Sequence, residues 1–312
     1  VLFITQNWLL VALIAPCLWA IVAIIDTHFV HGVYEDEYDG AVISGVFQLL
    51  PWLLVPLGVI EFAFPGAEIA VLALSAGGFF LFSFFYYFKA LFVSNDTALM
   101  LTFWNVSVLV VPFFAWLLIG EVLTSAHYAG IGIAFLGIIL LNFDGKVKGV
   151  GFMKIALPMF GAVVFLSFSM VVARMVYELT SDFWSVFLLF SLGAAIAAFV
   201  ILTIGKKSPV QRARKIAKLS RKHFLFFTTA EGLSIVATLT SQKAISIAPS
   251  VSFVAVVESL VPVFVMLISF AIVFIFRNMK RIDVSSYRNQ VSGVGVKVLA
   301  LAFITVGIYM IS

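Results

Sequence analysis

Two carboxylates stand out because the sequence around them is almost entirely apolar. Glu231 follows Phe224-Leu-Phe-Phe-Thr-Thr-Ala230, and Glu258 follows Val251-Ser-Phe-Val-Ala-Val-Val257. A charge held in hydrocarbon costs about 3 kcal/mol or more unless it is paired or wet. An acid in such a place can bind a cation, or take up a proton and couple its movement to a solute. The plainer alternative is an acid hydrogen-bonded to a neighbouring Ser, Thr or Trp, with no transport role. Glu231 lies about nine residues past Lys222, or ~13 Å at 1.5 Å per residue. Glu258 lies about nine residues past Pro249, also ~13 Å. The two spans run antiparallel, so these depths are measured from opposite faces. Together they come close to the ~30 Å thickness of a hydrocarbon core, which puts both acids near the midplane.

Aromatic and amide residues accompany them. Trp104 stands in the first half of the chain where Glu258 stands in the second, with Thr102 and Asn105 beside it. Trp19, Tyr86 and Tyr87 offer further aromatic walls. Aromatic faces next to acids suit cationic or amphipathic ligands, although with 34 Phe in the chain most aromatic rings must face lipid or other helices. Catalysis has little support. There are four His, of which only His28 and His31 are close together, and the chain has no HExxH pair, GxSxG elbow or P-loop lysine. The expectation is a protein that is not an enzyme, with no cofactor and no metal. Transport without an ATP site is driven by a gradient, by exchange, or runs downhill.

The elements that position these residues follow from composition. The chain of 312 residues is 63% hydrophobic and 11% charged, with a mean hydropathy of +1.17. A soluble domain of that size cannot bury so much apolar side chain, so the solvent is lipid. The apolar runs are too long and too continuous for barrel strands, so they are helices. Ten spans are predicted, over residues 8–30, 41–60, 67–88, 97–119, 125–141, 152–177, 183–204, 224–242, 251–276 and 292–312. The second contains Pro51 and Pro56, and Pro65-Gly66 turns the chain after it. The lone Cys17 excludes an internal disulfide. No basic region precedes Trp8, so the first span is not read as a cleaved signal peptide.

Lys89-Ala90 and Lys243-Ala244 mark the same point in two copies of a long repeat, 1–145 and 146–312. Five spans per copy is an odd number, so the two copies enter the bilayer in opposite directions. The fold class expected is an all-α membrane protein of ten transmembrane helices in two inverted five-helix repeats, with a site near the midplane where they meet. Gly130, Gly132 and Gly137 in the fifth span read as close helix packing rather than as a ligand loop.

Leu18-Trp19-Ala20, the Lys89-Ala90 turn, the Gly120-Glu121 end of the fourth span and the glycine-rich fifth resemble the drug/metabolite transporter superfamily, in its ten-helix EamA-like branch. The resemblance covers nearly the whole chain and rests on the order and spacing of these features. It implies a carrier for a small organic metabolite, and a cavity to which Ser167, Ser169, Ser234, Thr238 and Gln242 add polar surface. Departures are visible. Pro262 has the proline usual in the ninth helix, but the matching first-half position is Val108, with Pro112 one turn on. Asp26 stands where a basic residue is common near the end of the first helix, while Arg174 keeps that type in the sixth. The second-half counterpart of Gly120-Glu121 is Phe276-Arg277, without an acid.

Charge gives an orientation. Every Lys and Arg except Arg174 and Lys243 lies in or beside a loop that follows an odd-numbered span. The positive-inside rule then puts those loops in the cytoplasm and both termini outside, whereas the resemblance implies both termini inside. The basic stretch from Ser208 to His223 has two readings. Ser208 can cap and Pro209 can start a helix, with Ala213, Ile216 and Leu219 at helical spacing, so that it lies on anionic headgroups. Alternatively it is a solvated loop that sets orientation. Nothing in it suggests nucleic acid.

The expected function is a multi-pass secondary transporter of the plasma (inner) membrane, a monomer or weak homodimer in contact with lipid and open to proton coupling. It would move an amino acid, amine or hydrophobic solute, with Glu258, Glu231, Trp104, Asn105, Trp19, Tyr86 and Gln242 as the binding or coupling residues. Two alternatives stand beside it. One is an exchanger of phosphorylated or nucleotide-sugar solutes, which needs a basic midplane pocket that Lys89 and Lys243, at helix ends, do not supply. The other is a non-transporting scaffold or receptor, which calls for a dry, packed centre.

Overall fold

The computed structural model describes residues 7–93, 97–142, 152–204, 208–276 and 294–311. Most of the linker expected at 142–151, the turn Ser94-Asn95-Asp96, the stretch from Arg277 to Gly293 and several of the loop lysines therefore lie outside the described residues. The described chain is all-α apart from one short 3-10 turn. Its helices are α1 (Trp8–Gly32), α2 (Glu37–Phe47), α3 (Ala67–Val93), α4 (Thr97–Trp104), α5 (Ser107–Ile119), α6 (Ser125–Asn142), α7 (Phe152–Leu179), α8 (Phe183–Thr203), α9 (Pro209–Lys222), α10 (Phe224–Ile247), α11 (Val251–Glu258), α12 (Val261–Phe276) and α13 (Val294–Ile311). Seven rods are long and apolar enough to cross a membrane: α1, α3, α7, α8, α10, and the interrupted rods α4–α5 and α11–α12. The apolar helices α6 and α13 are shorter. The protein is a multi-pass membrane protein.

The second expected span is not a continuous helix. α2 begins four residues earlier than expected, capped by Asp36, and ends at Phe47. The chain then tightens into a 3-10 turn over Leu50–Leu54, with Pro51 at its start, and runs irregularly to Gly66. Pro51 and Pro56 supply no N–H to an α-ladder, and no neighbour restores one here. This segment is instead pinned to α8, where the Trp52 indole donates to the Leu188 carbonyl at 2.9 Å and the Ala63 amide to Ser185 Oγ at 3.0 Å.

Packing runs mainly across the boundary between the halves. The most extensive pairs are α3 with α7 and α8, α6 with α13, and α1 with α10. Small residues decide two of these crossings. A Cβ on Gly77 would collide with the Phe190 carbonyl of α8, and one on Gly193 with the backbone of Leu74 of α3, so the two backbones touch there. On the other side, Cβ atoms on Gly130 and Gly137 would lie 2.8 Å from atoms of α13, while Gly132 faces open space. Of the three glycines expected to pack, two do.

The basic stretch is neither a solvated loop nor wholly an interfacial helix. It folds as α9, with Pro209 in the first turn and Ser208 at the N-cap position but making no cap hydrogen bond. Arg212 is buried. Its Nη1 donates to the carbonyls of Ile201, Leu202 and Ile204, closing the C-terminus of α8, and its guanidinium lies 4.1 Å over the Tyr38 ring. Lys215 reaches the acidic turn after α1. Its ammonium lies 2.8 Å from Asp39 Oδ2, 3.2 Å from Glu35 and 3.4 Å from Asp36. Arg214 and Glu35 are thus on one end of the bundle.

Burial pulls the Lys215 pKa down, but the hydrogen bond to Asp39 and the charges of Asp39 and Asp36 outweigh it and hold the group above its ordinary 10.5. A pKa raised by folding stabilises the protein fully below the unfolded value, and that contribution is lost as pH climbs through the folded one. Lys215→Gln should therefore cost about 2 kcal/mol, because it strands the fully buried Asp39 without its cation. Thermal melts of both proteins across pH check this. The gap should be constant from neutral pH to 10.5 and close above it; a gap that is already absent at neutral pH overturns the assignment.

Candidate functional site

The rods α4–α5 and α11–α12 are broken at matching places. α4 and α11 are each 8 residues long, and they end on Trp104 and Glu258. These are the two residues that the repeat aligns. Around each break the ladder tightens to i→i−3 bonds, from Val106 to Phe103 and Val108 to Asn105 in one rod, and from Leu260 to Val257 and Val263 to Leu260 in the other. In the second half Pro262 explains this, since it has no N–H to offer the Glu258 carbonyl. In the first half no proline stands at the matching Val108, yet the chain breaks at the same point, after Trp104.

Two small cavities meet at these breaks. One, of about 40 Å³, is lined by Trp19, Val22, Ala23 and Asp26 of α1, Phe84 and Tyr87 of α3, Leu101, Trp104 and Val261. The other, of about 10 Å³, is lined by Ala15, Pro16, Trp19, Trp104, Leu166, Glu258 and Val261. Trp19, Trp104 and Val261 belong to both walls, so they form a partition with one carboxylate on each side: Asp26 in the larger space and Glu258 in the smaller. Among the described residues, no Lys, Arg or His lines either cavity.

Several buried polar side-chain atoms lack partners among the described residues: Trp19 Nε1 and Glu258 Oε1 in the cavity walls, and elsewhere both amide atoms of Asn105, Ser167 Oγ and Glu231 Oε2. Buried polar groups without partners are costly, and a cluster of them marks a place where water or a ligand completes the bonding. The Ser241 hydroxyl lies beside Glu258. Glu231 accepts from Ser44 Oγ of α2 at 2.7 Å and is buried. It stands outside both cavity walls.

The expected site residues thus separate. Glu258, Trp104 and Trp19 line the cavities, and Asn105 lies at the break beside them. Tyr86 does not line either space: it stacks on Phe165 of α7, ring centroids 5.6 Å apart, and its neighbour Tyr87 takes the cavity wall. Gln242 is buried towards the opposite end of α10, where it accepts from the Tyr177 hydroxyl at 3.2 Å. Asp26 was visible in the sequence only as a departure from the family pattern. The signal that singles it out is the same as for the other two, an acid inside an apolar run. Among the described residues no group of three or more His, Cys, Asp or Glu could hold a metal.

Glu121 and Arg174 fix the end of the bundle away from α9. Glu121, just past α5, accepts from Ser250 Oγ at 2.8 Å, from Ser252 Oγ and from the Val251 amide at 3.3 Å, and so caps α11 from the other half. Arg174 donates to the carbonyls of Ile245 and Ala248 at 2.9 and 2.7 Å and closes α10. Glu121→Ala should lower stability by about 2 kcal/mol through the lost cap and its charged hydrogen bonds. Glu121→Gln should keep about half of that, a difference that thermal melts in detergent resolve. Equal melting of all three proteins would remove Glu121 from this role.

No protein-family model matches the chain, and no curated protein matches it in sequence. Its fold does match solved structures, 28 chains in all. One of them, a crystal structure recorded under no functional description, aligns over 98% of this chain and 95% of its own, with a TM-score of 0.67 at 18% sequence identity. That likeness concerns the fold alone.

Proposed function

We propose that the chain is a secondary transporter of the drug/metabolite type that moves a small organic solute across the plasma (inner) membrane by alternating access. The observation that carries this reading is the pair of cavities, partitioned by Trp19 and Trp104, each with a carboxylate that has no basic partner in its wall. They lie where two rods are interrupted, the arrangement used by carriers whose unwound helices line a midplane site. The walls favour amines and other cationic or amphipathic solutes over the alternatives, since they combine acids with Trp and Tyr faces. They speak against phosphorylated or nucleotide-sugar solutes, which need a cation in the wall. A scaffold would have no use for cavities whose walls carry acids and no basic residue.

The inverted five-helix repeat has support in the pairing of helices. If α1, α2, α3, α4–α5 and α6 correspond to α7, α8, α10, α11–α12 and α13, contact of α3 with α7 requires contact of α10 with α1, and both are extensive. Likewise α5 packs on α7 while α11 and α12 pack on α1, and α6 packs on its own counterpart α13. The weak pairing of α2 with α10, against the strong one of α8 with α3, follows from the early end of α2. Superposition of the two halves should need a rotation about an axis in the membrane plane, and a parallel relation would exclude the repeat.

The decisive experiment is uptake or efflux of a panel of amines, amino acids and hydrophobic solutes in proteoliposomes, with and without a pH gradient. Movement of at least one cationic solute above protein-free liposomes is expected. Its absence across the panel, with correctly folded protein, would reject the reading.

A further inference from the structure

We propose that the outward side of α9 is a binding site for the headgroups of anionic phospholipids. The helix divides its basic residues between two faces. Arg212 and Lys215 turn inward and are spent on the end of α8 and on the acidic turn Glu35–Asp39. Arg214, Lys218 and Arg221 recur at i, i+4 and i+7, which places them on one stripe, and Lys222 lies beside it. All four are exposed, and none pairs with an acid among the described residues. The inward contacts fix the direction of the stripe, so it is a property of the fold and not of a free loop.

Position supplies the second observation. α9 runs directly into α10, a membrane span, and the first residues of that span, Phe224, Leu225 and Phe226, are 63%, 76% and 66% exposed. Apolar side chains this open at the start of a span sit in lipid, so the basic stripe ends within one turn of the hydrocarbon boundary. Val210, at the other end of α9, is also exposed. A row of cations at headgroup depth, flanked by apolar residues at membrane depth, fits lipid phosphates by charge and by level. This site is independent of what the protein transports.

The test uses the full chain in nanodiscs of phosphatidylglycerol or phosphatidylcholine, read by thermal unfolding. A ligand that binds only the folded state raises the melting midpoint. The wild type should melt about 3–6 °C higher in phosphatidylglycerol at low salt, and the difference should fade as salt screens the headgroups. The Arg214→Gln, Lys218→Gln, Arg221→Gln and Lys222→Gln combination should lose most of that difference while melting like the wild type in phosphatidylcholine, because the four side chains are exposed. Arg214→Lys with Arg221→Lys should keep it. Equal midpoints for the wild type in the two lipids would overturn the proposal. So would a lipid difference that persists in the fourfold variant, or an equal rise produced by inorganic phosphate added to phosphatidylcholine discs. Single Arg214→Gln and Lys218→Gln proteins should each lose part of the difference, and decide the matter if the fourfold protein does not fold.

Discussion

Alanine at Gly193 should destabilise the protein by about 3 kcal/mol, whereas alanine at Gly132 should leave it unchanged or up to about 1 kcal/mol more stable. The substitution is the same in each case and both sites are helical, so propensity alone predicts a gain at each. What differs is the neighbour. At Gly193 the new methyl meets the backbone of Leu74, and backbone cannot rotate away as a side chain can. α3 and α8 would have to move apart, and α3 also packs along α7, so the loss spreads to a second interface. At Gly132 nothing lies within 4 Å. Melting midpoints of the two variants in one detergent, with size-exclusion profiles, check the opposite signs. A Gly193→Ala protein as stable as the wild type would mean that the two helices are not in backbone contact.

This pair also illustrates what the sequence can tell about such a chain. Gly130, Gly132 and Gly137 read alike, as small residues at a helix interface, and only packing against α13 separates the two that touch from the one that faces outward. Tyr86 and Tyr87 pose the same difficulty. Adjacent helical residues point about 100° apart, and α3 is apolar on every side, so no polar stripe indicates which tyrosine faces the cavity. In a soluble protein the polar face settles such a choice; in lipid both faces are greasy.

Where polarity is scarce, by contrast, the sequence is informative. The ends of α1, α3, α6, α7 and α8 fall within five residues of their expected places because lipid demands a minimum apolar length. The alignment of Trp104 with Glu258 came from the repeat alone, and the two residues end equal helical segments. The second span misled because hydropathy measures length of apolar chain, not continuity of its hydrogen bonds, and Pro51 and Pro56 withhold theirs. Asp26 is hard to single out because an apolar run that ends near Val30 places it at the membrane edge, whereas packing in the fold buries it.

The two sides of the Trp19–Trp104 partition can be told apart by isosteric removal of charge. Glu258→Gln keeps the shape of the smaller cavity but can no longer bind or release a proton. If Glu258 couples a gradient to transport, the variant should lose accumulation, its inside-to-outside solute ratio falling to about 1, while solute-for-solute exchange persists. Asp26 faces the larger, more aromatic space, so Asp26→Asn should weaken cationic solutes about ten-fold or more and spare neutral ones. Glu231 is the control. It is buried, accepts from Ser44 Oγ and lines neither cavity, so Glu231→Gln should leave cation binding and flux close to those of the wild type. Binding and flux assays across pH on the three variants separate the roles. Unchanged flux and unchanged pH dependence in Glu258→Gln would remove it from coupling. Weaker cation binding in Glu231→Gln would show that Glu231 itself holds the solute.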